Sequence, residues 1–308
     1  MSSPAMPRSR RAVLVGVALA GVGSVSACSV RLQRDAPAIP GIRTQGPPPD
    51  AAAFHAALAS SLGLQNIAVT EPKPWGPRLT VMHRQQVTRL LAVMRSNGIS
   101  PSMPSASPSA SPSTSTSTST AALGYAEFLG VDTQALQNVR SSTPTNTAMF
   151  AALLASYTAA ATVVGPAPAW VGLQPTQGMA VTLIPAVRRA VYALEIIAAR
   201  TPDKDRYLVG SSVLIMSAQR SRLEKAAGAS APPAPLSYRL PIAPINPATS
   251  SALARTVLAA VSQAAARSVD AHHGSVDVVR AVVREWAEPT ALGWRWGAPL
   301  APFPGLAS

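Results

Sequence analysis

The sequence predicts an all-α protein that ends in a four-helix bundle. Three observations carry this expectation. Apolar residues recur three and four apart in segments of about twenty residues. No alternating stretch of useful length reads as a strand. Prolines, 30 of the 308 residues, fall largely between the periodic segments, where they punctuate rather than weaken them.

In chain order, Asp50 is expected to cap a helix that begins at Ala51 and carries Phe54 and Leu58 four apart. Pro72, Pro74 and Pro77 then break the chain. Val81, Val87, Leu90, Leu91 and Met94 give the apolar face of a second helix, which stops at Asn97-Gly98. From Ser100 to Thr120, 18 of 21 residues are Ser, Thr or Pro. Nothing there can be buried to offset chain entropy, so disorder is expected, either as an O-glycosylated spacer or as an unmodified insertion. Ala121 to Arg140 and Thr147 to Val164 read as two more helices. Leu123, Phe128, Leu129, Leu136 and Val139 face inward on the first, and Phe150, Leu153, Leu154 and Tyr157 on the second. Ser141 to Pro144 forms the turn between them.

The last third should hold the bundle. Pro185 is placed in the first turn of a helix running through Tyr192 and Ile196 to Arg200. Thr201-Pro202-Asp203 opens a second helix to Gly228, and residues 231–247 form a proline-rich crossover. A third helix runs from about Pro247 to His272. Gly274-Ser275 opens the fourth, with Val276, Val279, Val282, Val283 and Trp286 inward and Pro289 as its end. The organisation is thus a signal peptide over 1–27, a tether over 28–50, helical segments over 51–98 and 121–176 on either side of a 99–120 linker, and a bundle over 177–306.

The first residues decide the compartment. Arg8, Arg10 and Arg11 precede a 14-residue apolar run, Ala12 to Val25, too short for a permanent span of a bilayer about 30 Å thick. Val25-Ser26-Ala27-Cys28 resembles the bacterial lipobox, which implies a lipid on the Cys28 thiol, the only thiol of the chain. Two or more acyl chains make such anchoring stable. Arg10-Arg11 also resembles the twin-arginine export signal, so Sec and twin-arginine export both stay open. Loss of residues 1–27 removes three arginines and no acid, and lowers the net charge from +13 to +10. Outside the cytoplasm that charge faces lipid headgroups, wall polymers and envelope proteins. Scattered arginines without interleaved aromatics do not suggest nucleic acid.

Ala190-Val191-Tyr192-Ala193, Arg220 to Glu224, Tyr238-Arg239-Leu240-Pro241 and Phe303-Pro304-Gly305-Leu306 resemble a ferritin-like domain of unknown function found in lipoproteins of high-GC Gram-positive bacteria. His83 to Leu91 resembles a His- and Leu-bearing helix upstream of that domain in some relatives. The resemblance covers about residues 177–306 and implies a ferritin-like bundle, which raises the question of metal. No Glu-x-x-His occurs, and the nearest pattern is Asp270-x-x-His273 beside His272. Glu195 is a candidate inward carboxylate, whereas Glu224, Glu285 and Glu288 read as surface partners of nearby arginines. No metal or other cofactor is therefore expected. One cysteine excludes an intramolecular disulfide and a cysteine zinc site. No nucleophile elbow or phosphate loop is present, so no catalytic residue is expected.

Trp286, Trp294 and Trp296 are expected to seal the end of the bundle, rather than to form an aromatic platform with Arg295 stacked between rings. The leading expectation is a non-catalytic structural or interaction module of the envelope. The alternative is a binder of a small apolar or amphipathic molecule in a pocket lined by Leu194, Ile215, Val257 and Val283, and a divergent metal oxidase comes last. Replacing Cys28 with Ser is expected to move the protein from the membrane to the soluble fraction; retention in the membrane fraction would contradict the lipid anchor.

Overall fold

The computed structural model describes residues 46–71, 74–101, 120–165, 173–202, 206–269 and 274–306. The export-signal residues Arg10 and Arg11, the lipobox with Cys28, most of the Ser/Thr/Pro linker, and Asp270, His272 and His273 lie outside them. Pro47–Ser308 is a compact unit distinct from Met1–Gly46. Among the described residues the regular structure is helical: α1 Ala51–Thr70, α2 Trp75–Ser96, α3 Thr120–Leu129, α4 Thr133–Ser141, α5 Pro144–Val164, α6 Gln177–Arg200, α7 Arg206–Ala227, α8 Pro247–Ser268 and α9 Val276–Arg295.

Helices α6 to α9 form a four-helix bundle. Helix α6 packs along α7 and α8, α8 packs along α9, and a lighter α7–α9 contact closes the ring. On the outer side of α9 lies α5, which in turn carries α3, while α1 and α2 pair along their lengths. Small residues explain why α5 takes the central place. Ala151, Ala152, Ala155, Ala159, Ala160 and Ala161 are all buried, so neighbours approach it on every side. By length and composition α5 would also cross a membrane, yet most of its surface is buried in this core. Phe54 of α1 meets Phe150 of α5 with ring centroids 4.9 Å apart and tilted, which fixes α1 on α5.

Local chemistry sets most of the helix starts. Asp132 accepts from Ala135 N at 2.7 Å, and Thr176 accepts from Met179 N. Asn246 and Thr249 form a reciprocal capping box before α8, and Ser275 caps α9. Asp50 departs from expectation. It stands before α1 with a φ of 63°, offers that helix its backbone carbonyl but no side-chain bond, and turns its carboxylate to the start of α5. There it accepts from Thr143 N, from Thr143 Oγ1 at 2.6 Å and from Asn146 Nδ2 at 2.9 Å. A carboxylate at that position faces the positive end of α5 and satisfies donors no turn of α5 can reach.

Two prolines also correct the sequence reading. Helix α6 begins at Gln177, so Pro185 lies inside it, and α9 runs through Pro289 to Arg295. A proline within a helix frees the carbonyl four residues earlier. For Pro289 that carbonyl belongs to Glu285, and the buried Gln219 Nε2 of α7 donates to it at 2.7 Å. The helix continues because a neighbour replaces the missing N–H.

Further corrections follow from burial. The segment read as one helix over 121–140 is split at Gly130-Val131-Asp132, where the Asp132 cap restarts the chain. Phe128 and Leu129 are exposed and Glu127 faces inward, whereas Val81 is 49% exposed and His83 and Gln86 face inward. Helix α7 is described from Arg206 and α8 to Ser268, and the expected helix start at Asp203 and helix end at His272 lie outside the described residues.

Removing the Asp50 carboxylate with Asp50→Ala is expected to cost about 2 kcal/mol, since buried donors at the α5 terminus lose a charged acceptor. Urea unfolding of the two proteins checks this; an unchanged midpoint would show that the α5 terminus is held some other way.

Candidate functional site

The strongest concentration of buried polar chemistry lies where α2, α3 and α5 meet the C-terminal tail. Helix α2 places His83 and Gln86 one turn apart on its inner face among Leu79, Met82 and Leu90. Helix α3 brings Glu127, and α5 brings Ser156 and Tyr157. All five are fully or almost fully buried. Gln86 Nε2 donates to Ser156 Oγ at 2.7 Å and to the Pro302 carbonyl at 3.0 Å, so its Oε1 is the acceptor that faces His83 Nδ1 at 2.8 Å. Nδ1 therefore carries a hydrogen. His83 Nε2 lies 2.7 Å from Glu127 Oε1, and a single proton occupies that contact. Ser156 Oγ passes its own hydrogen to the Leu153 carbonyl. Tyr157 OH meets Ser61 Oγ of α1 at 2.7 Å, and its ring lies 6.0 Å from that of His83.

The electrostatics are those of a closed pair. Burial alone would lower the pKa of His83, but the charge and hydrogen bond of Glu127, with the bond from Gln86, outweigh it, so the imidazole is raised above its ordinary value. Burial raises Glu127, and attraction to His83 offsets this only in part. Both directions mean that the folded pair holds its proton more tightly than the separate groups do. Glu127 Oε2 is buried with no partner, as befits a carboxyl that is not left fully charged. Burial likewise pushes the Tyr157 phenol up, so it stays protonated.

A second polar group lies between α7 and α9. Arg222 bridges Glu285 at 3.0 Å and Glu288, and Arg284 also reaches Glu288 at 3.3 Å. Glu285, expected on the surface, is 1% exposed. Its carboxyl is raised by burial first and by neighbouring Glu288 next, against the pull of Arg222. Glu224 pairs with Arg188 of α6 at 2.8 Å rather than with Arg220. Glu195, expected to face inward, is exposed. Among the described residues no group of three or more His, Cys, Asp or Glu side chains gathers as a metal site would need.

Trp286, Trp294 and Trp296 are buried, and the guanidinium of Arg295 donates to the Thr162 carbonyl. The tail beyond them folds back onto the body. Arg78 donates to the Ala298 carbonyl, and Gly305 has a φ of +77° with the Ser262 carbonyl where a Cβ would lie only 2.5 Å from it. Only glycine seats the tail so closely on α8.

A large concavity among the described residues lies elsewhere. A groove of about 720 Å³ opens between the end of α6, the start of α7 and the start of α8. Ile197, Leu208, Val209, Pro244, Ile245 and Trp296 give it an apolar wall, and Arg200, Ser250 and Ser251 stand at polar points of its lining. Trp296 is fixed there by its indole N–H, which donates to Ser212 Oγ at 3.0 Å. Leu194, Val257 and Val283, three of the four residues expected to line a pocket, are instead fully packed into the core. Sequence reasoning missed both the node and the groove. Its one available signal for the node was a His and a Gln three apart on an otherwise apolar helix face. Comparison of the chain with protein-family models, with curated proteins and with solved structures finds no match.

Raised folded-state pKa values contribute stability that is fully present below the unfolded imidazole value of about 6.5 and is lost as pH rises through the folded one. The melting temperature is therefore expected to fall as pH rises through the range above 6.5. Glu127→Gln preserves a donor to His83 Nε2 but removes the charge, leaving burial to lower the imidazole pKa, so the same fall should disappear or reverse. Thermal melts of both proteins across that range decide it, and parallel curves would contradict the shared proton. His83→Ala, which strands Glu127, should cost about 3–5 kcal/mol.

Proposed function

We propose that this chain is a lipid-tethered protein of the extracytoplasmic membrane face that binds a small apolar or amphipathic molecule without transforming it. The observation that carries the reading is the 720 Å³ groove, within the ordinary range of about 300–1,000 Å³ for ligand sites and mostly apolar with a few polar points. Its wall comes from three helix ends and the crossover, so the site rests on rigid elements and opens at one end of the bundle. The sequence placed a structural or interaction role first; the groove favours the ligand-binding alternative.

The tether rests on the Val25-Ser26-Ala27-Cys28 pattern. The ferritin-like reading is supported by the connectivity of α6 to α9, with the long crossover between α7 and α8. Absence of turnover is supported by the enclosure of the His83–Glu127 pair, whose side chains are 0% exposed and out of reach of a substrate.

An apolar fluorescent probe, 1-anilinonaphthalene-8-sulfonate, should bind the mature chain saturably at one site and be displaced by a medium-chain fatty acid. Ser251→Trp, which fills the groove from the partly exposed face of α8, should weaken probe binding at least tenfold while leaving the melting temperature within about 2 °C. Equal probe binding by the variant, or no saturable binding by the parent, would contradict the groove as a ligand site.

A further inference from the structure

Among the described residues, three exposed arginines without an ion pair gather on one helix, α2, whereas the exposed Arg239 and Arg267 stand singly, one in the crossover and one on α8. In the bundle, Arg188, Arg222, Arg280 and Arg284 each form an ion pair with an acid. In α2, Arg84, Arg89 and Arg95 are exposed and make no ion pair or side-chain hydrogen bond among the described residues. None is available nearby in sequence, because residues 51–101 contain a single acid, Glu71, and it is 8% exposed. Helix α1, paired along α2, has no acidic or basic residue apart from His55.

The arrangement of the exposed arc is as informative as its charge. At about 100° per residue, Arg84 and Arg95 fall on one edge of α2 and Arg89 falls about 140° around it. Between those edges lie Val81, Gln85, Thr88 and Ala92, all uncharged and exposed, and, next to the Arg89 edge, the partly buried Arg78, whose guanidinium is engaged by the Ala298 carbonyl and the Trp75 ring. Val81 is half exposed, and the Thr88 hydroxyl is turned back to the Arg84 carbonyl, which lowers the polarity of the strip further. A helix face made for water alone carries its charges throughout. Here cations border an uncharged strip, the pattern in which long arginine stems lie beside an apolar contact and place their guanidinium groups at phosphate level.

We infer that the outer face of α2, bordered by Arg84, Arg89 and Arg95, rests on an anionic lipid surface. Lipid headgroup phosphates supply the acceptors that this half of the chain lacks, and each guanidinium near such a surface adds to the attraction. The contact is peripheral: Val81 and Ala92 reach only the headgroup boundary, and α2 stays packed on α1 and α5 through Leu79, Met82, Leu90 and Met94. The inference rests on the extracytoplasmic, membrane-tethered reading for its setting, but the contact itself requires no acyl chain.

The test uses the mature chain with Cys28→Ser, so that no lipid anchor contributes. Co-sedimentation is measured with vesicles of phosphatidylglycerol and phosphatidylcholine, with vesicles of phosphatidylcholine alone, and with free glycerol phosphate as competitor. Binding to the anionic vesicles is expected, with none to the neutral ones, a steep loss between 50 and 300 mM salt, and no displacement by millimolar glycerol phosphate. The triple variant Arg84→Ala, Arg89→Ala, Arg95→Ala should bind the anionic vesicles at least tenfold more weakly. The control triple Lys225→Ala, Arg239→Ala, Arg267→Ala removes the same charge elsewhere and should bind within twofold of the parent. Equal weakening by the two triples would show a diffuse charge effect and overturn the assignment. Failure to bind anionic vesicles, equal binding to neutral ones, or displacement by glycerol phosphate would also overturn it. Probe binding in the groove, measured on the same variants, should be unchanged, so a failure there counts against the ligand reading and not against this surface.

Discussion

Burying a histidine and a glutamate in an apolar interior is tolerable only when each supplies what the other lacks. His83 and Glu127 meet this condition through one proton held between Nε2 and Oε1. Around that proton the surrounding groups fall into a fixed order. Gln86 must present its oxygen to Nδ1, which turns its amide toward Ser156 and toward the Pro302 carbonyl. In this way one pair joins α2 to α3, to α5 and to the tail that closes the bundle. Loss of the pair would leave several buried donors and acceptors without partners at once, the kind of network whose members cannot be removed independently.

The same physical rule operates in the bundle at smaller scale. Pro289 deprives the Glu285 carbonyl of its helical donor, and Gln219 restores it from α7. Glu285 itself is buried, but Arg222 and Arg284 surround it and Glu288. At Pro289 and at Glu285 a side chain from α7 thus answers the departure from regular helix chemistry. These answers also fix how α7 sits on α9, where the contact is otherwise light.

Local features of the fold were legible in the sequence because their causes are local. Pro247 and Gly274-Ser275 announce helix starts through their own backbones, and the apolar spacing of Val279, Val282, Val283 and Trp286 marks the inner face of α9. What the sequence misled about depends on distant partners. Pro185 and Pro289 look like helix boundaries until a neighbouring donor or a tolerant packing site is known. Asp50 looks like a cap for the helix beside it, yet its partners are Thr143 and Asn146, 93 and 96 residues away. His83 and Glu127 are separated by 44 residues that include the Ser/Thr/Pro linker, so no spacing rule could join them. The groove escaped for a related reason, since its walls are the ends of three helices and a crossover rather than one helix face.

These parts are consistent with the binding role proposed above. The His83–Glu127 pair is sealed inside, the groove beside Trp296 is mostly apolar and is not lined by that pair, and the α2 arginines lie on a separate surface. The claim on which this division depends is that His83 and Glu127 are a closed structural unit. Nitrogen-15 NMR of the imidazole groups in the mature chain tests it most directly. The account predicts that His83 keeps hydrogens at both ring positions, or a shared one at Nε2, to a pH above the ordinary imidazole value of about 6.5, that these hydrogens exchange slowly with solvent, and that added zinc, iron or groove ligand leaves the signals unmoved. A His83 that titrates at or below 6.5, exchanges rapidly, or shifts on addition of metal would contradict it and place an accessible reactive centre where the account has a structural one.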